Sequence, residues 1–245
     1  DKTLTKLVVD HAGIPQAAWQ LVRSVDAEER MEKVLDSLEN RFRYPMFVKP
    51  AGTGSSVGVS KAKDRDALRD AILAAGAYDK KILVEEFIHG REVEVAVLGS
   101  RFDPVVSYPG EIAPTAEFYS YDAKYNDDSS ALFIPARLDK SVMEQLRSYA
   151  AKIFKILDCA GMSRVDFFAT KQGILFNEIN TIPGSLSFYL WEPIGVKYTE
   201  LLNKMISLSL KREREQENIT FSFDSNVLQG VKLGGGTKGA KGTKA

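Results

Sequence analysis

Cysteine is almost absent from this chain: Cys159 stands alone among 245 residues. No intrachain disulfide can form, and a reducing, cytoplasmic setting is the natural reading. Histidine is nearly as scarce. His11 and His89 are too few and too scattered for a zinc site or a histidine-based triad. Neither sign of charge is in excess, because Lys plus Arg and Asp plus Glu are 33 each. Nucleic acid and anionic membrane are therefore not expected as partners. No apolar run approaches the ~20 residues of a spanning helix, and no signal peptide is visible. There is no internal repeat. The phosphate-loop pattern is missing too, since no Gly-Lys-Ser/Thr follows four residues after a glycine. The chain opens on Asp1-Lys2 without a methionine and reads as a fragment or a trimmed chain.

What is present is the composition of an ordinary globular protein, long enough for one large domain or two small subdomains. Helical spacing covers 3–12 (Leu4, Leu7, Val8, His11), 27–39 (Met31, Val34, Leu35, Leu38) and 65–75 (Leu68, Ala71, Ile72, Ala75). It returns over 141–157 (Val142, Leu146, Tyr149, Ile153, Ile156) and 198–213 (Leu201, Leu202, Met205, Ile206). Met46-Phe47-Val48 and Ile82-Leu83-Val84 read as short strands. Val93, Val95 and Val97 alternate with Glu92, Glu94 and Ala96, as in a half-buried strand. Strands over 163–169 and 174–180 are joined by Lys171-Gln172-Gly173. Residues 109–131 have no clean period and form a loop long enough to suggest function. The Gly-, Lys- and Thr-rich tail from about 226 reads as a flexible segment.

Five features could carry chemistry. In the strand pair 163–180, residues two apart share a face. Arg164 and Asp166 point one way, as do Glu178 and Asn180, so pairing would gather all four. Three oxygen donors, Asp166, Glu178 and Asn180, suit a hard cation such as magnesium, whose usual co-ligands are phosphate oxygens. A solvated sheet face is the plain alternative, but strands disfavour Asp, Glu and Asn at this density. The turn Gly52-Thr53-Gly54-Ser55-Ser56-Val57-Gly58 could wrap phosphate with its amides, or simply close a hairpin. Lys49 before it is a point charge for phosphate or a surface lysine. Glu85-Glu86-Phe87-Ile88 with Glu92 offers ribose and adenine contacts, or an edge strand. Tyr121 to Tyr125, with Lys124 between the two tyrosines, suits a water-excluding lid or an exposed loop. Trp19 and Trp191 read as core or pocket wall, and Cys159 as packing rather than a nucleophile.

In order and spacing these segments, together with Asp1-Lys2, Glu117-Phe118-Tyr119 and Thr181-Ile182-Pro183-Gly184, resemble the D-alanine–D-alanine ligase family of ATP-grasp enzymes over residues 1 to about 210. The resemblance implies an α+β ATP-grasp fold, with ATP gripped between antiparallel sheets of two subdomains. It divides the chain into 1–100, a small subdomain with preceding helices, 101–215, a large subdomain with the omega loop and metal hairpin, and a 216–245 extension. Lys2 and Lys49 would bind phosphates, and Ser55, Ser56 and Val57 would cover them. Glu85, Glu86, Phe87 and Ile88 would form the adenine segment and Glu92 the ribose carboxylate. Lys124 and Tyr125 would belong to the omega loop. Asp166, Glu178 and Asn180 would hold two Mg²⁺ ions, with Mn²⁺ as an alternative. Arg164 and the Gly184 amide would stabilise the tetrahedral intermediate, with Ser55 and Tyr125 among the catalytic groups.

The implied activity is ATP-dependent dipeptide formation through an acyl phosphate, for peptidoglycan precursors, by a cytoplasmic homodimer acting on small amino acids. An ATP-grasp ligase with another carboxylate and amine pair, or a nucleotide-binding module without turnover, is the alternative. Two departures stand out. Family members carry about a hundred residues before Asp1-Lys2 that help bind the first D-alanine. Where typical members have a Ser-Leu pair near the second substrate, gapless counting places Tyr189-Leu190.

Overall fold

A computed structural model describes residues 1–113, 131–220 and 222. The expected lid residues Lys124 and Tyr125, and the tail from about 226, lie outside the described residues. By packing the chain divides into Asp1–Ser209 and Leu210–Ala245. In its described part the second unit holds the end of the last helix and the residues just after it. Among the described residues no helix is long and apolar enough to cross a membrane.

The first half of the larger unit is built from β1 (Trp19–Arg23), β2 (Met46–Pro50), β3 (Ser60–Ala62) and β4 (Lys81–Glu86), all antiparallel in the order β1-β4-β2-β3. Helices α1 (Lys2–His11), α2 (Ser24–Arg41) and α3 (Arg65–Gly76) accompany it. Strand alternation decides which face is which. Val22, Met46, Val48, Ile82 and Val84 point to α2 and α3, meeting Leu35, Leu38, Leu68 and Ile72 in one core. The α3 stripe Leu68, Ala71, Ile72 and Ala75 is buried as expected. Phe47, Lys49 and Glu85 then necessarily point to the opposite face, because Phe47 faces Glu85 across the ladder.

The second half is a sheet of β10 (Gly173–Asn180), β9 (Gly161–Thr170), β5 (Arg91–Gly99), β7 (Gly110–Ala113) and β8 (Ala131–Phe133), in that order, with β6 (Val105–Val106) paired to β5. Helix α4 (Lys140–Ile156) covers one face. Val93, Val95, Val97, Val165, Phe167 and Phe176 meet Leu146, Ile153 and Phe154 there. After β10 the chain makes short 3-10 segments, Gly184–Leu190 and Glu192–Ile194, and ends its described helices with α5 (Tyr198–Glu217). These close a smaller core on the other face, around Ala96, Leu98, Met162, Leu190, Trp191 and Leu201.

Several expectations shift. β5 is central to the second sheet, so the first sheet ends at Glu86 and the second begins at Arg91. The short strands β3, β6, β7 and β8 carry too few residues to show a period. Helix α1 buries Thr3, Lys6 and Val9, whereas Leu4, Leu7 and Val8 are exposed. Both stripes fit 3.6 residues per turn, and the partner of Lys6 decides between them. In α4, Phe154 packs inward while Ile156 is exposed, and in α5 only Leu201 of the expected stripe is fully buried, with Ile206 exposed.

Candidate active site

The faces left free by the two helical layers look into one cavity of about 700 Å³. Its walls come from both sheets. Lys2, Lys49, Ser55, Ser56, Glu85, Glu86, Phe87, Ile88, Glu92, Glu178 and Asn180 all line it. Phe47, Phe87 and Phe168 make it aromatic, and Phe47 stacks on Phe87 at 5.9 Å between ring centres. A cavity with aromatic walls and clustered lysines and carboxylates suits a ligand that is flat and apolar at one end and anionic at the other.

The lysines are held by one another's counter-ion. Glu85 is only 3% exposed. Its carboxylate meets Lys6 Nζ at 2.6 Å and Lys49 Nζ at 2.7 Å. Burial pushes the Glu85 carboxyl upward, but Lys49 and Lys6 outweigh it and hold the group at about 2. Burial likewise works against the Lys49 ammonium, and Glu85 and Glu178 more than offset it, so its pKa rises. Lys6 has the weaker position: burial dominates and lowers its pKa. Lys49 therefore stays a cation facing the cavity and also reaches Asn177 Oδ1 at 3.3 Å. Glu85 thus acts on this site through the lysines. The adenine-segment reading falls to the residues beyond it, and the Glu86 carboxylate is pinned by the Ala18 amide at 2.7 Å.

The glycine-rich turn joins β2 to β3, so it closes a hairpin and lines the cavity at once. Ser55 and Ser56 adopt left-handed backbone, with φ of 52° and 58°. Lys2 donates its ammonium to the Thr53 and Pro50 carbonyls and so ties the turn down. Val57 is exposed, uses its amide on the Gly54 carbonyl, and does not line the cavity.

The strand pair converges as its spacing implies, but through a device that spacing does not reveal. Phe176 faces Phe167 and both are in the core. Two residues further on, period two would put Glu178 on that same core face. A β-bulge at Asn177 shifts the register, so Glu178 faces Asp166 and Asn180 faces Arg164. Both polar pairs thereby turn toward the cleft while Ile179 and Val165 stay in the core. Asn180 Nδ2 lies 2.9 Å from Asp166 Oδ2 and 3.4 Å from Glu178 Oε1. The amide thus lies between the two carboxylates, and the three expected ligands stand within contact of one another. Among the described residues no group of three or more His, Cys, Asp or Glu side chains forms a metal cluster. Two carboxylates and an amide still fit magnesium, which takes few protein ligands and completes its shell with phosphate and water.

Arg164 and Asp166 stand just behind this cavity wall. The guanidinium binds Asp166 through Nε and Nη2, both at 2.8 Å, and Nε is 3.2 Å from Glu94 Oε1. Gly184 is exposed at the start of the 3-10 segment and does not line the cavity. Lys6, Asn177 and Glu94 are contributors that sequence reasoning missed. Only Glu94 had a signal, its alternation with Val93 and Val95 beside Glu92. His11 and His89 are both exposed and neither lines the cavity, although the His89 ring packs edge-on against Phe87 at 4.5 Å, and Cys159 is half-buried against the α4 core.

Two antiparallel sheets, each backed by helices, that close on one lysine- and carboxylate-lined cleft define the ATP-grasp class of α+β proteins. The chain belongs to the D-alanine–D-alanine ligase family, because the family model described as "D-ala D-ala ligase C-terminus" matches residues 8–207. A D-alanine–D-alanine ligase of Acetivibrio thermocellus is 50% identical over 218 residues, covering 86% of this chain and 58% of that protein. One from Geobacillus kaustophilus is 43% identical, covering 91% and 62% respectively. The VanG D-Ala:D-Ser ligase structure from Enterococcus faecalis superposes with a TM-score of 0.74 at 36% identity, covering 85% of this chain and 61% of that one. The chain thus spans about three fifths of the length of these relatives.

Proposed function

We propose that this chain is the ATP-binding part of a ligase that joins two D-alanine molecules through an acyl phosphate. The observation that carries this reading is the cavity itself: half-buried Lys49 on one sheet and Glu178 on the other both line it, with Asp166 paired to Glu178 just behind the wall. The likeness to D-alanine–D-alanine ligases supports the substrate.

In this reading adenine lies against Phe87 and Ile88, and Glu92 takes the ribose hydroxyls. Lys2 and Lys49 neutralise phosphate oxygens, and the Ser55-Ser56 turn covers them. The carboxylate of the first D-alanine attacks the γ-phosphorus. Its new P–O bond replaces the bond to the β-phosphate, and ADP leaves. The amine of the second D-alanine then attacks the acyl carbon, inorganic phosphate departs, and the amine loses a proton. On the family likeness, Arg164 and the Gly184 amide would serve the oxygen that becomes anionic. Asp166, Glu178 and Asn180 would hold magnesium, with manganese as an alternative, whose charge offsets that of the transferring phosphoryl group. Two such ions, a homodimeric assembly and a cytoplasmic location complete the proposal, all on the family likeness.

The test is ADP release by the full-length protein with D-alanine as donor and D-alanine, D-serine or D-lactate as acceptor. Turnover with D-alanine is expected. Preference for D-serine, the acceptor in the VanG description, would redirect the substrate. ATP binding without turnover on any acceptor would overturn the ligase reading.

A further inference from the structure

The 3-10 segment after Gly184 does more than close the small core. Ser185, Leu186 and Ser187 run in left-handed backbone, with φ of 51°, 50° and 46°. Such a run is costly for residues with a Cβ and tends to mark functional positions. It turns the chain back onto the cleft face of the second sheet. Tyr189 is thereby brought to the buried Glu94 of β5, with its hydroxyl 2.7 Å from Oε2. The other oxygen of the same carboxylate is the one 3.2 Å from Arg164 Nε.

A second observation shows that the sheet is shaped for this approach. The residue facing Glu94 on β7 is Gly110. A Cβ there would stand 2.6 Å from Leu190 Cδ2, the neighbour of Tyr189. Bare backbone at this one position lets the segment lie close enough for the phenol to reach Glu94. The contacts then continue without a break. Tyr189 donates to Glu94, Glu94 pairs with Arg164, Arg164 grips Asp166 with two bonds, and Asn180 donates to Asp166.

We propose that Tyr189 is a positioning residue: through Glu94 it sets the orientation of Arg164, which rests on the ligase reading only for the consequence in catalysis. A buried carboxylate shared between a phenol and a guanidinium has its direction fixed from both sides. Without the phenol, that Glu94 oxygen loses this donor and the carboxylate is held less firmly against Arg164. The Arg164 fork, fixed at Asp166, is then pulled from its second anchor.

The test uses the full-length protein and Tyr189→Phe, which keeps the ring and removes one oxygen. Arginine side-chain ¹⁵N spectra report the Nε–H of Arg164, assigned by its loss in Arg164→Lys. A shift of that signal in Tyr189→Phe is expected and needs no turnover. In kinetics, kcat should fall about tenfold, the size of a lost hydrogen bond to a charged group, with KM for ATP unchanged. In a Glu94→Gln background the same substitution should have little further effect on kcat. An unmoved Nε–H signal, an unchanged kcat in an active enzyme, or full additivity of the two substitutions would overturn the proposal. A moved signal in a protein that forms no dipeptide would instead uphold the positioning and overturn the ligase reading.

Discussion

Replacing Glu85 by glutamine keeps the shape of the side chain and deletes the one charge that Lys6 and Lys49 share at 2.6 and 2.7 Å. The carboxyl is held down from its ordinary 4.5 to about 2 in the folded chain. That difference is worth about 3 kcal/mol of folding stability, in line with the ~3–5 kcal/mol for breaking a buried ion pair from one side. Because the folded value lies below the unfolded one, the contribution is fully present above about pH 4.5. It is lost as the pH falls through about 2. For a body of this size ~3 kcal/mol corresponds to a melting point lower by roughly 6–12 °C. Thermal unfolding of wild type and Glu85→Gln, followed by circular dichroism at pH 7, should show that gap. Repeated at decreasing pH, the gap should narrow from about pH 4.5 downward, since protonated Glu85 resembles glutamine. A variant melting within about 2 °C of wild type at pH 7, or a gap indifferent to pH, would refute the buried-counter-ion account.

Arg164→Ala should lower dipeptide formation by about 10²–10³ in kcat, as for loss of an oxyanion donor, with ATP affinity measured by calorimetry largely kept. Near-normal ligation would contradict the role of Arg164. Phe176→Ala empties a fully buried position between α1 and the second sheet's core and should cost about 3–5 kcal/mol in urea unfolding. Gly58→Ala places a Cβ 2.8 Å from both Pro50 Cγ and Tyr78 Cδ2 at a left-handed φ of 71°. It should destabilise by about 1–2 kcal/mol and raise KM for ATP by distorting the turn, and an unchanged KM would argue against a phosphate role for that turn.

Much of this chain is legible one dimension at a time. The spacing of Leu68, Ala71, Ile72 and Ala75 predicts α3 and its buried face together, because a helix facing one core repeats its contacts every 3.6 residues. The alternation of Met46, Phe47, Val48 and Lys49 already implies that Lys49 points away from the apolar layer. The approach of the two polar strand ends is anticipated by two strands joined by a tight turn, although the register that sets Glu178 opposite Asp166 is not. The α1 stripe is the counterexample. Leu4, Leu7 and Val8 are more apolar than Thr3 and Lys6, yet the latter are buried. A helix can turn either face inward, and Glu85, far away in the chain, decides which.

Sequence alone determined the periodic elements, the polar pairs that share a strand face, and the ordered series of motifs that resembles the ligase family. Tertiary structure decided three things that have no local signature. The bulge at Asn177 reverses the face of Glu178 after the core residue Phe176. The burial of Glu85 turns a charged strand end into the shared counter-ion of two lysines. The left-handed return after Gly184 brings Tyr189 to Glu94, 95 positions away. Periodicity records what neighbours along a chain do together. It carries no information about which distant residue will supply the counter-charge, the hydrogen bond or the space, and the chemistry of this site lies in those long-range contacts.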